Sequence, residues 1–287
     1  MDKQVWFITG STRGFGRAIT LAALEAGHNV VATARRPEQL SDLTEQFGSA
    51  VMPLALDVTD AAAALSAIAA AVERFGRLDV VVNNAGYANV GPIETIPDGD
   101  FRAQFETNFW GVYNVTRAAV PVLREQKSGT IVQFSSIGGR VGGTPGLGSY
   151  QAAKFAVDGF TRVLAAEVAP FGIRCLVIEP SGFATDWAGS SMQIDAVDQN
   201  YAATVGVSAD MMRSHDLMRA GDPARAADIL VRTVARRDVP SHLPLGAYAA
   251  SSAIAYATQQ IADATRWQGV SASADFAEAF PIDIPAT

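Results

Sequence analysis

A single cysteine among 287 residues excludes an internal disulfide. Its place in the apolar run IRCLVIEP marks Cys175 as a buried strand residue, and a reducing cytoplasm suits such a chain. Histidine is almost as scarce. His28, His215 and His242 have no ligand-like spacing, so no metal is expected, and with no GxSxG elbow a serine hydrolase is not expected either. Basic residues never accumulate beyond the pairs Arg35-Arg36 and Arg236-Arg237. The formal charge is −7, so neither nucleic acid nor an anionic membrane is an expected partner. Long apolar runs are missing too: AAAALSAIAAAVERFG is too short and too weakly apolar to span a bilayer. The opening MDKQVWFITG passes directly into a strand-like run, so no signal peptide is expected.

What the chain does have is 49% hydrophobic residues and a regular alternation. The β-branched runs VWFIT, NVVATA, VMPLAL, LDVVVN, TIVQFS, IRCLVIE and HLPLG are separated by longer segments of helical periodicity, as in successive βαβ units. Continuous apolar strands with right-handed crossovers predict an α/β fold. It should be a doubly wound, mostly parallel, seven-stranded sheet of Rossmann type with helices on both faces. No linker or composition break divides residues 1–287, so one domain is expected. Residues 181–221 interrupt the alternation after strand six, and about 248–287 form an extension beyond the last strand.

Two motifs carry chemistry. The turn TGSTRGFG after strand one has glycines at 10, 14 and 16, which lets backbone N–H groups and a helix N-terminus approach a pyrophosphate; its spacing is GxxxGxG rather than GxGxxG. In GSYQAAKFAVDGF, Tyr150 and Lys154 are four apart, on one helical face about 5–6 Å apart at Cβ. A cation at that distance favours the phenolate by roughly 3 kcal/mol at an effective dielectric of about 20, moving the tyrosine towards neutral pH. Taken alone, the pair also fits an ordinary amphipathic helix with a solvated lysine.

The order of motifs resembles the short-chain dehydrogenases/reductases over roughly residues 3–247. It comprises TGSTRGFG, LDV at 56–58, NNAG at 83–86, NFWGV from Asn108, SS at 135–136, YQAAK at 150–154 and EPSGFAT at 179–185. The resemblance implies a nicotinamide-dependent oxidoreductase in which Tyr150 is the acid/base and Lys154 lowers its pKa and holds the nicotinamide ribose. Asn108 would hold a water connecting Lys154 to solvent, and a serine would hydrogen-bond the substrate oxygen. That serine departs from the family. The usual interval to the tyrosine lands on Ile137, whereas Ser136 and Ser135 lie one and two residues further away. A glycine-rich connection can absorb the extra residue, and strand alternation favours Ser136 over Ser135.

Cofactor contacts implied by the resemblance run through Gly10, Ser11, Arg13, Gly14, Phe15 and Gly16 in the first turn. They continue with Asp57 and Val58 near the adenine, and Asn83, Ala85 and Gly86 near the adenine ribose. Pro180, Gly182 and Thr185 lie near the nicotinamide. No Asp or Glu stands between His28 and Arg36, where a binder of NAD places a carboxylate; Arg35, Arg36 and Arg13 favour NADP instead.

The stretch 181–221 corresponds to the family's substrate-binding lid. It holds Phe183, Trp187, Met192, Ile194, Tyr201, Met211, Met212, Leu217 and Met218, with Arg213 and Arg219 as its strong cations. This suits an apolar ketone or secondary alcohol in a shape-tolerant pocket. The alternatives are a 3-oxoacyl-carrier-protein reductase, which should show a basic docking face, and a non-catalytic dinucleotide sensor. The resemblance also implies a homodimer or homotetramer, because the helical segments at about 98–127 and 148–170 match the pair through which resembling proteins dimerise. The tail ending in FAEAFPIDIPAT could cover a second interface.

Overall fold

The computed structural model describes residues 3–185, 192–194, 196–214 and 220–275. Its elements are β1 (Val5–Thr9), α1 (Gly14–Glu25), β2 (Asn29–Ala34), α2 (Ser41–Phe47), β3 (Val51–Ala55), α3 (Ala61–Phe75), β4 (Val80–Asn83) and β5 (Ala88–Val90). Then come α4 (Asp98–Phe105), α5 (Gly111–Gln126), β6 (Gly129–Phe134), α6 (Gly138–Val141), α7 (Gly148–Val168), β7 (Ile173–Pro180) and β8 (Met192–Ile194). The last are α8 (Val207–Ser214), α9 (Pro223–Val234), β9 (His242–Leu245) and α10 (Ala247–Ala272).

Seven strands form one sheet in the order β3-β2-β1-β4-β6-β7-β9, with every pairing parallel. β1 shows why these runs are strands: all five residues are buried, as a central parallel strand requires. Its side chains alternate between two cores. Trp6 and Ile8 pack with Ile19 of α1 and Leu230 of α9, while Phe7 packs with Ile68 of α3 and Val115 of α5. Helix ends are specified locally. Asp60 accepts from the N–H groups of Ala62 and Ala63 to start α3, and Gly76 at φ 76° ends it; Asp222 caps α9 ahead of Pro223.

The chain runs outward through β1, β2 and β3 and returns to β4 on the far side of β1. This switch point opens a crevice at the carboxyl ends of β1 and β4, the usual ligand position in such sheets.

Three features lay outside the sequence reading. β5 and β8 make a separate two-stranded parallel ladder, with Asn89 opposite Gln193, which ties the segment after β7 to the segment after β4. A π-helical turn, Glu106–Trp110, joins α4 to α5 within the stretch read as one helix. The extension is largely a single 26-residue helix, α10, which buries Ala249 alone and leaves Ile254 and Ile261 exposed. The tail FAEAFPIDIPAT lies outside the described residues.

Candidate active site

The first turn leaves α1 open at its start. Arg13 in the N-cap position makes no side-chain capping bond, so the first N–H groups of α1 are not satisfied by a cap. Gly10 and Gly14 have φ of 69° and 55°, which side-chain-bearing residues rarely adopt. Gly16 serves packing instead: a Cβ there would stand 2.1 Å from the Gly10 carbonyl oxygen. Ser11 also turns inward. It is fully buried and donates its hydroxyl to Ile8 O at 3.0 Å.

These residues border a cleft of about 850 Å³ lined by Gly10, Arg13, Gly14 and Phe15, by Arg35 and Arg36 at the end of β2, and by Asp57, Val58, Ala85, Gly86 and Thr185. Among the predicted positions, Asn83 turns its side chain away from the cleft. It is 2% exposed and donates to Gln133 Oε1 at 2.8 Å and Thr116 Oγ1 at 3.0 Å, so it braces β4 against β6 and α5. Its neighbour Asn84 lines the cleft and ties it to β1 by donating to Thr9 O at 2.9 Å. Strand alternation could have indicated this exchange, because successive residues face opposite sides. Thr12, Tyr87 and Gln193 also line the cleft and carried no sequence signal, and Met192, read as a lid residue, borders it too.

Asp57 is exposed and accepts from the Thr59 N–H at 3.0 Å and hydroxyl at 2.8 Å. The Thr59 N–H, and more weakly Arg35, hold its carboxyl below the ordinary range against partial burial. Arg13, Arg35 and Arg36 are exposed on the cleft wall. Pro180 and Gly182 act through backbone: their carbonyls accept from Ile137 N–H and Gly221 N–H, each at 3.0 Å.

Tyr150 and Lys154, on α7, are 6% and 4% exposed. The Ser136 hydroxyl stands near enough to the Tyr150 phenol to lower its pKa, and it accepts from Gly138 N–H at 3.1 Å. Ser135 is turned away, donating to the Lys154 carbonyl at 3.1 Å, so the structure places Ser136 rather than Ser135 beside the tyrosine. Lys154 Nζ donates to Phe134 O at 2.7 Å and stands 5.7 Å from the Tyr150 ring centroid.

The electrostatic balance differs from the expectation drawn from spacing. Burial pushes the phenol up to about 12, with the nearby Ser136 hydroxyl opposing it, and burial lowers the lysine to about 8. Desolvation is the leading cause for each group because both lie inside the fold.

Asn108 lies in the π-helical turn and is fully buried. Its Nδ2 donates to Tyr87 O at 3.0 Å and Gln104 O at 3.1 Å, while Oδ1 has no protein partner. A Cβ on Gly86 would lie 2.5 Å from that Oδ1 and 3.6 Å from Lys154 Nζ, so at Gly86 the cleft wall borders both groups directly.

The segment after β7 divides. Val205, Ala209 and Met212 pack with Val90, Leu147 and Tyr150 in one apolar cluster, with Met192, Ile194 and Tyr201 at its edge. Phe183 does not join it. Its ring packs 4.9 Å from Phe15 in the core beneath α1. Met211 is 48% exposed, and Arg213 pairs with Asp210 at 2.9 Å. Trp187, His215, Leu217, Met218 and Arg219 lie outside the described residues.

Cys175 is half-buried in β7, where burial pushes its thiol up to about 12. His28 stacks on Trp6, and His242 is bonded to Asp158. Among the described residues no group of three His, Cys, Asp or Glu side chains could hold a metal, and no helix is long and apolar enough to cross a membrane.

A sequence model of the short chain dehydrogenases matches residues 4–195. Oxidoreductase BOA17 of Botryotinia fuckeliana is 49% identical over 269 residues, covering 93% of this chain and 98% of that protein. A short-chain dehydrogenase crystal structure from Streptomyces avermitilis is similar at a TM-score of 0.89 and 36% identity, over 96% of this chain and 99% of the other. ElxO, solved with NADP bound, is similar at a TM-score of 0.70 and 28% identity, over 85% and 97%; another solved neighbour is complexed with NADH. Similarity that begins at the first strand and runs past the sixth, in relatives of nearly the same extent, establishes descent: the chain belongs to the short-chain dehydrogenase/reductase family of oxidoreductases.

Proposed function

We propose that the chain is an NADP-dependent oxidoreductase that interconverts a ketone and a secondary alcohol on a largely apolar small molecule. The observation that carries this reading is the meeting of the Tyr150 phenol, the Ser136 hydroxyl and the Lys154 ammonium beside the Gly86 wall of the cleft.

The residues fit a nicotinamide dinucleotide. Gly10, Gly14 and the uncapped start of α1 suit a pyrophosphate, and Gly86 leaves the cleft open beside Lys154. Solved neighbours carry NADP or NADH, so the choice rests on charge. Three arginines line the cleft, and Asp57, the acid on its wall, is engaged by its own turn at Thr59. Guanidinium groups favour a 2′-phosphate.

The nicotinamide, when bound, supplies or accepts the hydride; the chain handles the proton. Tyr150 donates its phenolic proton to the carbonyl oxygen and in reverse takes the alcohol proton. Ser136 donates to the same oxygen as charge develops on it. Positive charge from Lys154 and from the oxidised cofactor offsets the burial that raises the phenol. The Asn108 Oδ1, buried without a protein partner, suits a water linking Lys154 outward. Val205, Ala209 and Met212 against Tyr150 support an apolar substrate.

The exposed Trp110, Phe155 and Val163 on the segments α4–α5 and α7 support a homo-oligomer built on those helices. We place the enzyme in the cytoplasm on its single cysteine. NADPH oxidation against a panel of aryl and alkyl ketones tests the activity. Tyr150→Phe should keep NADPH affinity and lose nearly all turnover; retention of a tenth of kcat would refute the assigned role.

A further inference from the structure

The short helix α6 lies in the connection between Ser136 and Tyr150, and it is wedged between two neighbours. On one side is α7. A Cβ at Gly139 would come within 2.4 Å of Ser135 Oγ and 2.8 Å of Lys154 Cβ, and one at Gly138 within 2.8 Å of Gln151 Nε2. On the other side is the end of β7, where Arg140 Nε donates to both carboxylate oxygens of Glu179 at 2.9 Å.

Glu179 is fully buried, so its charge depends on that guanidinium. Burial raises the carboxyl and Arg140 opposes the rise. Asp158, one turn beyond Lys154 on α7, accepts from Arg162 Nε at 3.0 Å and contacts His242 Nε2 at 2.5 Å.

α6 also holds the serine. Gly138 N–H donates to Ser136 Oγ at 3.1 Å, and Gly139 N–H to Ser136 O at 2.9 Å. A shift of α6 therefore moves the hydroxyl that faces the phenol. The connection holds one residue more than the family interval, so its backbone needs an added constraint.

We propose that the Arg140–Glu179 pair is a positioning clamp that holds α6 between β7 and α7 and thereby sets the Ser136 hydroxyl against the Tyr150 phenol. It rests on the reading of Ser136 and Tyr150 given above.

The test is a double-mutant cycle with the fastest ketone of the panel. Arg140→Met and Glu179→Gln should each lower kcat by about tenfold or more, the scale of a misplaced reacting group, with NADPH affinity unchanged. Ser136→Ala combined with Arg140→Met should be no slower than Ser136→Ala alone, because the clamp acts through that hydroxyl. Arg140→Lys, which keeps a cation, should recover part of the rate. Multiplied losses in the double variant would overturn the proposal. A crystal structure of Arg140→Met, which needs no substrate, should show the Ser136 hydroxyl displaced from the Tyr150 phenol, and an unmoved hydroxyl would equally overturn it. If Arg140→Met does not fold, Glu179→Gln, with no change of volume, carries both measurements. Should Ser136→Ala alone leave kcat untouched, the serine assignment fails, and the crystal structure still decides the clamp.

Discussion

Replacing Lys154 by methionine should stabilise the fold near neutral pH while disabling the enzyme. The ammonium is 4% exposed, and burial lowers it from its ordinary 10.5 to about 8. That separation corresponds to roughly 3 kcal/mol. In the unfolded chain the lysine keeps its proton up to 10.5, and in the fold only up to about 8. Between those values the unfolded state binds more protons, so through this group stability climbs as pH rises across the window. Below about 8 both states are charged, and the fold bears the whole burial cost. Lys154→Met removes that cost at similar volume. Urea unfolding of both proteins at about pH 7 and about pH 10 cancels every other titrating group in the difference. The variant's stability relative to wild type should be highest at the lower pH and fall by up to about 3 kcal/mol at the higher one. NADPH affinity and kcat should drop in the same variant, since the charge that costs stability is the one the proposed mechanism sets beside the phenol. A stability difference that does not change with pH would refute the argument.

For the two serines, Ser136→Ala should lower kcat by on the order of a hundredfold, as for loss of an oxyanion donor. Ser135→Ala, whose hydroxyl serves the Lys154 carbonyl, should act mainly on stability, and the reverse ranking in steady-state kinetics would reject the assignment. Wild type should prefer NADPH over NADH by at least about tenfold in kcat/KM, and Arg35→Asp should erase the preference. Equal efficiency with both cofactors would remove the case built on the arginines. Light scattering at micromolar concentration should report a homo-oligomer, and a monomeric mass would contradict it.

The sequence by itself determined the layered sheet, because apolar strand runs and helical periods are local patterns; β1 and β2 occupy the runs VWFIT and NVVATA without adjustment. It also determined the glycine turn, where Gly10 and Gly14 need a backbone few other residues adopt, and the helical pairing of Tyr150 with Lys154. Tertiary structure decided whatever depends on a neighbour distant in the chain. Asn83 faces Gln133 and Thr116 while Asn84 takes the cleft, a choice set by which side of β4 meets β6 and α5. The β5–β8 ladder joins residues about a hundred apart in runs too short to register as strands. The two serines are identical by composition, and the Lys154 carbonyl engages Ser135 while Ser136 is the one that stands beside the Tyr150 phenol. Spacing put a cation next to a phenol, but only the packed interior showed that both are desolvated, which turned the expected fall in the phenol's pKa into a rise.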